Sequence, residues 1–341
     1  MRETDLLLAV DLGATKTNLA LYPANLPLIS IREGTYKTRD FADAQGLLAK
    51  FLADCGQPQL RYACLGVPGP VFANRSATTN LPWLIAGDEL ANNLSIAKVT
   101  LVNDLMATAA SVIHLTPSEL FTLNAGKAAA GGNIAVLSPG TGLGEAFLTA
   151  DDHSHYRAHA SEGGHGDFAP NSLVEMELLG WLREIFGHVS YEQVCSSLGL
   201  INIFGFLRNR EKLPLPVWLT ERFGAADDPS RVIIESSLDE ENFCELCHET
   251  LKIFVAILGA EAGNLALKFM ATGGIYIGGG ITPRITTVLD SSLFLKSFFN
   301  KGRLAEVLSD IPVQVIMNPR APVLGAAHLA LQALEEASRP V

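Results

Sequence analysis

Apolar positions in this chain fall into short blocks broken by glycine-bearing turns. Residues 6–10 form an unbroken apolar run of strand length, and residues 17–22 resume as a second strand. Between them, Asp11-Leu-Gly-Ala-Thr-Lys16 supplies a bend, so the pattern predicts a β-hairpin with glycine at its turn. Residues 42–55 carry apolar side chains at helical spacing. A short buried strand follows at 62–67, closed by Pro68-Gly-Pro70, and another at 98–102 runs into a helix over 104–114. The strand–glycine turn–strand pattern then recurs: residues 133–137, the turn Ser138-Pro-Gly-Thr-Gly-Leu-Gly144, and residues 145–149. This repetition suggests an internal duplication of an α/β unit. Beyond Pro170 the spacing turns helical, over 173–186, 191–196, 201–208 and 242–267, with Asp227-Asp-Pro-Ser230 as an exposed loop. A strand at 274–277 enters Gly278-Gly-Gly280, a last strand spans 310–317, and a helix over 323–337 carries Gly325 near its start. Strands alternating with helices imply an α/β fold with parallel or mixed sheets.

Composition narrows the class. At about 100–200 residues per domain, 341 residues imply two domains. Hydrophobic residues at 48% against 18% charged residues mark a globular chain. A formal net charge of −11 argues against a nucleic-acid backbone or an anionic membrane as partner. It leaves a phosphorylated ligand open, because backbone N–H groups bind phosphate without net positive charge. The apolar run after Asp5 is too short for a signal-peptide core, and no uninterrupted run nears the 18 residues of a membrane span. Five sparse cysteines, an odd number, point to reduced thiols in a cytoplasm.

Three turns could carry phosphate or nucleotide chemistry. In the first, Gly13 lets backbone N–H groups approach a phosphate, Thr15 and Lys16 add donors, and Asp11 at the strand end could hold a water of a Mg²⁺ ion; an ordinary hairpin turn with a surface lysine has the same sequence. The Walker spacing is missing. The second turn, Gly140-Thr-Gly-Leu-Gly144, offers another cradle, and its spacing departs from a dinucleotide fingerprint. The third, Gly278-Gly-Gly280, suits close backbone approach to a base or ribose, or simply a tight strand-to-helix connection. Together the three suggest a nucleotide held in a cleft between two domains.

The carboxylates come next. Asn103-Asp104 ends a strand and opens a helix, so Asp104 is either a helix cap or a base placed to accept a proton from a substrate hydroxyl. Glu162-Gly-Gly-His165 sits in a glycine-rich loop that delivers two polar side chains to one spot, too few for a metal but suited to sugar hydroxyls. Glu192 opens a predicted helix, where an acid is also favoured by the dipole. Cys244-Glu-Leu-Cys247-His248 matches a haem-attachment string, yet it lies within a helical pattern and lacks the context that motif needs.

In this order the motifs resemble the bacterial glucokinase family of the hexokinase/actin-like ATPase superfamily. The resemblance rests on Asp11-Leu-Gly-Ala-Thr-Lys-Thr-Asn18, Gly66-Val-Pro-Gly-Pro70, Thr79-Asn-Leu-Pro-Trp83, Val102-Asn-Asp-Leu105, Pro139-Gly-Thr-Gly-Leu-Gly144, Glu162-Gly-Gly-His165, Tyr191-Glu-Gln-Val194 and Ile277-Gly-Gly-Gly-Ile281. It implies a two-domain actin-like (ribonuclease H-like) α/β fold, with a small domain of residues 1–115 plus about 319–341 and a larger, more helical domain of residues 116–318. It further implies ATP-dependent phosphorylation of glucose, with Mg²⁺, in a cytoplasmic homodimer that closes on its sugar. Asp104 would be the general base, and Asn103, Glu162, His165 and Glu192 would bind glucose hydroxyls, with Asn80 close to the sugar. Asp11, Gly13, Ala14, Thr15, Lys16 and Thr17, with Gly140, Thr141 and Gly142, would embrace the ATP phosphates. Gly279 and Gly280 would flank the adenosine. Two positions depart from the family pattern: Ser197 replaces a glycine after Glu192, and Glu145 follows the second phosphate turn where a small or apolar residue is usual. A carboxylate there either repels ATP or points away from it. The alternatives on the same fold are a non-catalytic glucose sensor and a kinase for another hexose.

Overall fold

The computed structural model describes residues 5–78, 81–152, 155–211, 214–290 and 292–338. The chain divides into two compact units, the first of residues 1–116, 156–160 and 318–341 and the second of residues 117–155 and 161–317.

Unit one contains β1 (Leu6–Leu12), β2 (Lys16–Pro23), β3 (Arg32–Lys37), α1 (Ala44–Asp54), β4 (Leu60–Val67), a small ribbon of β5 (Arg75–Ala77) and β6 (Leu84–Ala86), α2 (Gly87–Leu94), β7 (Lys98–Asn103) and α3 (Asp104–Ser111). Its main sheet runs β3-β2-β1-β4-β7, with β1, β4 and β7 parallel and the β1–β2–β3 meander antiparallel. The unbroken apolar run of β1 has a simple cause: both faces of the strand are covered. Leu8, Val10 and Leu12 pack on the side of α1 and α2 with Leu47, Leu48, Phe51 and Leu90. Leu7 and Ala9 point the other way, against Val323, Ala326, Ala327 and Ala330. Neither β3 nor the β5–β6 ribbon was predicted from the sequence. Arg-Glu-Gly-Thr-Tyr-Lys in β3 is a polar edge strand with only Gly34 and Tyr36 partly covered, so it shows no apolar run.

Unit two contains β8 (Leu120–Asn124), β9 (Ile134–Pro139) and β10 (Leu143–Ala150); β11 (Tyr156–Ser161) falls, but for Ser161, in unit one. The helices α4 (Leu173–Phe186), α5 (Ser197–Glu211), α6 (Val217–Ala225), α7 (Pro229–Leu238) and α8 (Glu245–Lys268) follow, then β12 (Gly274–Ile277), α9 (Thr286–Leu289), α10 (Ser292–Phe299), α11 (Ala305–Ser309) and β13 (Val313–Ile316). The final helix α12 (Ala321–Ser338) returns to unit one. Within unit two β9, β12 and β13 are parallel, flanked by antiparallel β10 and β8. The core gathers around α8, whose Leu251, Phe254, Val255, Ile257, Leu258 and Leu265 are fully buried. Two glycines bring α10 close: a methyl group on Gly259 or Gly263 would strike the backbone of Phe294 or Phe298. Among the described residues α8 is the one helix long and apolar enough to cross a membrane, and 72% of its most apolar stretch is buried in this core.

The structure corrects two sequence-based expectations here. Residues 191–196 form turns rather than a helix, and α5 begins at Ser197. The side chain of Asn202 donates to Gln193 O (2.8 Å) and Ser196 Oγ accepts from Gly199 N (3.1 Å), so tertiary and capping bonds take the place of a helical ladder. Cys244 is the N-cap of α8; its sulfur accepts from Cys247 N at 3.3 Å.

Candidate active site

In unit one, β7 delivers Asn103 and Asp104 to the start of α3. Asn103 is the N-cap: its Oδ1 accepts from Leu105 N (3.0 Å) and Met106 N (3.3 Å), while its Nδ2 donates to Gly69 O (3.2 Å). Most of the amide is therefore engaged in helix entry and in fastening the Pro68-Gly-Pro70 turn. Asp104 sits at the first helical position, where Oδ1 accepts from Leu105 N (2.8 Å), and a carboxylate there is favoured by the helix dipole. Two glycines set the depth of α3. Gly66 on β4 faces Asp104 Cα and Ala107 Cβ, and a methyl group on Gly325 of α12 would collide with Ala107 O.

The Asp11 turn lies between β1 and β2. Gly13 N donates to Lys16 O (3.1 Å), and the hydroxyl of Thr38 donates to Gly13 O (2.6 Å), bracing the loop from outside. Thr15 and Lys16 are exposed at its tip. Thr17 is fully buried, with its hydroxyl bonded to that of Thr38 at 2.9 Å. Its side chain, expected among the phosphate contacts, instead holds the turn's shape. Asp11 Oδ2 accepts a long bond from Asn18 Nδ2 (3.3 Å). Burial raises its carboxyl above the usual range, opposed by Asn18 and by the Lys16 charge. A desolvated carboxylate with so little compensation fits a site that meets a cation.

In unit two, three turns interlock on the start of β10. The phosphate-type turn closes with Gly140 N donating to Gly142 O (2.8 Å). Ser197 N donates to Gly140 O (2.8 Å), and Ser197 has no positive φ, so the missing glycine costs nothing there. Thr141 is exposed at the tip. Glu192 Oε2 accepts from Leu143 N (2.9 Å) and lies against Gly142, where any side chain would strike it. Its backbone N–H donates to Gly164 O (2.8 Å). Gly164 packs on Leu143 O and Gly163 on the Glu145 carboxylate, both without room for a methyl group. Glu162 and His165 flank these glycines and present exposed side chains. The Gly278–Gly280 turn reaches the same region from β12. Gly279 has φ +84°, and its Cα abuts Pro139 O with no space for a Cβ, while Gly280 is open. Gly140, Gly142, Glu162, His165, Glu192, Gly279 and Gly280 thus gather at adjoining strand ends. Asn80 lies outside the described residues.

Glu145 is the residue whose role sequence reasoning left undecided. It points away from the phosphate turn: it is 2% exposed, packs on Gly163 and lies in the field of the Glu261 carboxyl. The carboxylate against Gly142 belongs to Glu192. Glu261 was missed; it sits mid-helix in α8 with no local motif to mark it, and only the fold brings it to β10.

Glycine turns at the ends of mixed-sheet strands, with carboxylates beside them, define a phosphotransferase-type site on a two-domain actin-like ATPase fold. A sequence model of the glucokinase family matches residues 8–333. The glucokinase of Trichormus variabilis is 38% identical over 95% of this chain and 98% of its own length. The crystal structure of a glucokinase from an Antarctic psychrotroph superposes with a TM-score of 0.83 at 30% identity, covering 96% of this chain and 99% of that one. That of the glucokinase from Balamuthia mandrillaris in complex with glucose shares the fold, with a TM-score of 0.77 at 20% identity over 96% of this chain and 93% of that one. The chain belongs to the glucokinase family.

Proposed function

We propose that this chain transfers the γ-phosphoryl group of ATP to the 6-hydroxyl of D-glucose, with Asp104 as general base. The observation that carries the reading is the interlock on β10: a glycine turn suited to phosphates and the hydroxyl acceptors Glu162, His165 and Glu192 share one scaffold. Glu192 links the two directly, one carboxylate oxygen bound to Leu143 N–H and the other left for a sugar hydroxyl.

Phosphoryl transfer is mostly positioning and charge stabilisation. Unit two holds glucose through Glu162, His165 and Glu192 and cradles phosphates on the amides of Gly140–Gly142; Gly279 and Gly280 flank the nucleoside. Asp104 orients the hydroxyl and takes its proton as the bond to phosphorus forms. Asn103 performs the capping, so Asp104 need not serve both ends. Lys16 and the Asp11 turn offer further donors to the phosphates. Mg²⁺, when bound, neutralises phosphate charge; the buried, weakly compensated Asp11 carboxylate is the group in this chain that would hold it through water. The family likeness further supports a homodimer, which light scattering tests, and the five free cysteines suit a reducing cytoplasm.

The test is a sugar panel with ATP and Mg²⁺ in an ADP-coupled assay. Glucose is expected to give the highest kcat/KM; a mannose or N-acetylhexosamine preference would change the substrate, and no turnover with any sugar would remove the kinase reading. The sensor alternative is not favoured, because Glu145 and Ser197, which motivated it, leave the phosphate turn intact.

A further inference from the structure

Beneath the glucose-side turn lies a buried polar cluster that the mechanism does not use. Glu145 on β10 and Glu261 on α8 are 2% and 0% exposed, and the Glu261 charge acts on the Glu145 carboxyl. Both oxygens of Glu261 already accept other bonds: Oε1 from Lys268 Nζ at 3.2 Å, Oε2 from Asn264 Nδ2 at 2.8 Å. Asn264 also donates to the Tyr191 hydroxyl (2.9 Å). Lys301 Nζ donates to Asn264 Oδ1 at 2.7 Å and completes the group.

Two facts follow from this arrangement. First, a buried carboxylate with no donor or cation bonded to its Oε1 is costly, so Glu145 is favoured as the neutral, protonated acid. Glu261, by contrast, has the Lys268 ammonium and the Asn264 amide on its two oxygens, which favour its charged form. Second, the Glu145 carboxyl is the surface on which Gly163 rests, with no room for even a methyl group between them, and its Oε1 is buried without a partner. Gly163 stands between Glu162 and His165.

We infer that Glu145 is a buried neutral carboxyl that positions the glucose-binding turn, and that the turn keeps its binding shape only while Glu145 carries the proton. The inference rests on the glucose-kinase reading above. Glu145 is a positioning residue, since it acts through Gly163. When it ionises, two like charges share a dry site with Lys268 as the nearest cation, and an unbonded carboxylate oxygen must seek water. Relief requires the side chain, and Gly163 with it, to move. The titratable groups facing the pair are Lys268 on α8, Tyr191 and Cys195 before α5, and Lys301 before α11. Burial first, and then the Glu261 charge, lift the Glu145 carboxyl to about 7, against the opposing pull of Lys268. The transition therefore falls within the working range of a neutral cytoplasm.

The experiment compares the full-length enzyme with Glu145→Gln and Glu261→Gln, measuring kcat and the glucose KM from pH 6 to 8. Binding that demands the protonated form weakens about tenfold per pH unit above the midpoint, so the wild-type KM is expected to rise about tenfold over this range with kcat changing far less. Glu145→Gln keeps the neutral shape and should hold KM flat at its acid value. Glu261→Gln removes the neighbouring charge and should shift the rise to lower pH. A rise in Glu145→Gln equal to that of wild type overturns the inference, and so does an unmoved rise in Glu261→Gln, which decides the matter should the first variant fail to fold. If the wild-type chain forms no glucose 6-phosphate at any pH, the kinase reading fails separately. The same pH comparison then passes to the glucose Kd from calorimetry, which judges the pair without turnover.

Discussion

At the first position of a helix a carboxylate has two possible uses, and Asp104 could be assigned to neither from its neighbours alone. The structure separates the roles by giving the cap to Asn103. With helix entry secured by the preceding residue, Asp104→Ala should lower kcat by about two to four orders of magnitude, the usual worth of a positioned general base. Its Tm and glucose Kd should stay close to wild type, and near-wild-type turnover would overturn the assignment. Glu192 is a different kind of residue because it bonds both glycine turns of unit two. Its carboxylate holds Leu143 N–H while its backbone holds Gly164 O. Glu192→Ala should therefore raise the KM for glucose and for ATP together; a change confined to glucose would mean that the link to the phosphate turn is inert. Ser197 and Glu145, the two departures from the family pattern, prove to have opposite meanings. Ser197 needs no special backbone and contributes only an N–H, whereas Glu145 acquires a partner, Glu261, that no local pattern announces.

Among the elements, helix and strand positions are set by glycines that permit close approach. Gly325 in α12 is pressed onto Ala107 O of α3, the helix that begins at Asp104. Gly325→Ala must push the two helices apart, and overpacking of this kind typically costs about 1–3 kcal/mol. A drop in Tm together with a fall in kcat is expected, because the displaced helix carries Asp104, the proposed base. A fall in Tm with unchanged kcat would show that the start of α3 is anchored by Asn103 alone. Gly279 combines a positive φ with contact on Pro139 O, so a side chain there meets both backbone strain and collision. The glycine itself was visible in sequence as part of a triplet, but its reason was not: β12 must pass its end across the end of β9, a neighbour brought alongside it by the parallel sheet.

For the whole molecule, pH acts on the two units in opposite directions. In unit one, His114 and His328 stack with ring centroids 3.3 Å apart. Burial, reinforced by the His114 charge, lowers His328 from 6.5 to about 3. The unfolded chain thus binds a proton that the folded one refuses, so stability is lost as pH falls from 6.5 toward 3. In unit two Glu145 is raised from 4.5 to about 7, so the folded chain holds a proton that the unfolded one releases, and stability declines as pH rises through that window. Calorimetry should show His328→Phe flattening the acid loss and Glu145→Gln flattening the decline toward neutrality; scans of either variant that parallel wild type would contradict the corresponding assignment.

The sequence by itself determined the class of fold, the strand–turn–strand units, and the glycine and carboxylate motifs of the family. These are local: a buried strand writes its apolar run, a turn writes its glycine, and motif spacing survives without coordinates. It could not show the polar edge strand β3, the absence of a helix at residues 191–196, or the partner of Glu145. Those depend on groups far apart in the chain, such as Asn202 with Gln193, Gly325 with Ala107, and Glu261 with Glu145. Tertiary structure alone decided them, because hydrogen bonding, close approach and desolvation are properties of a neighbourhood, and only the folded chain specifies who the neighbours are.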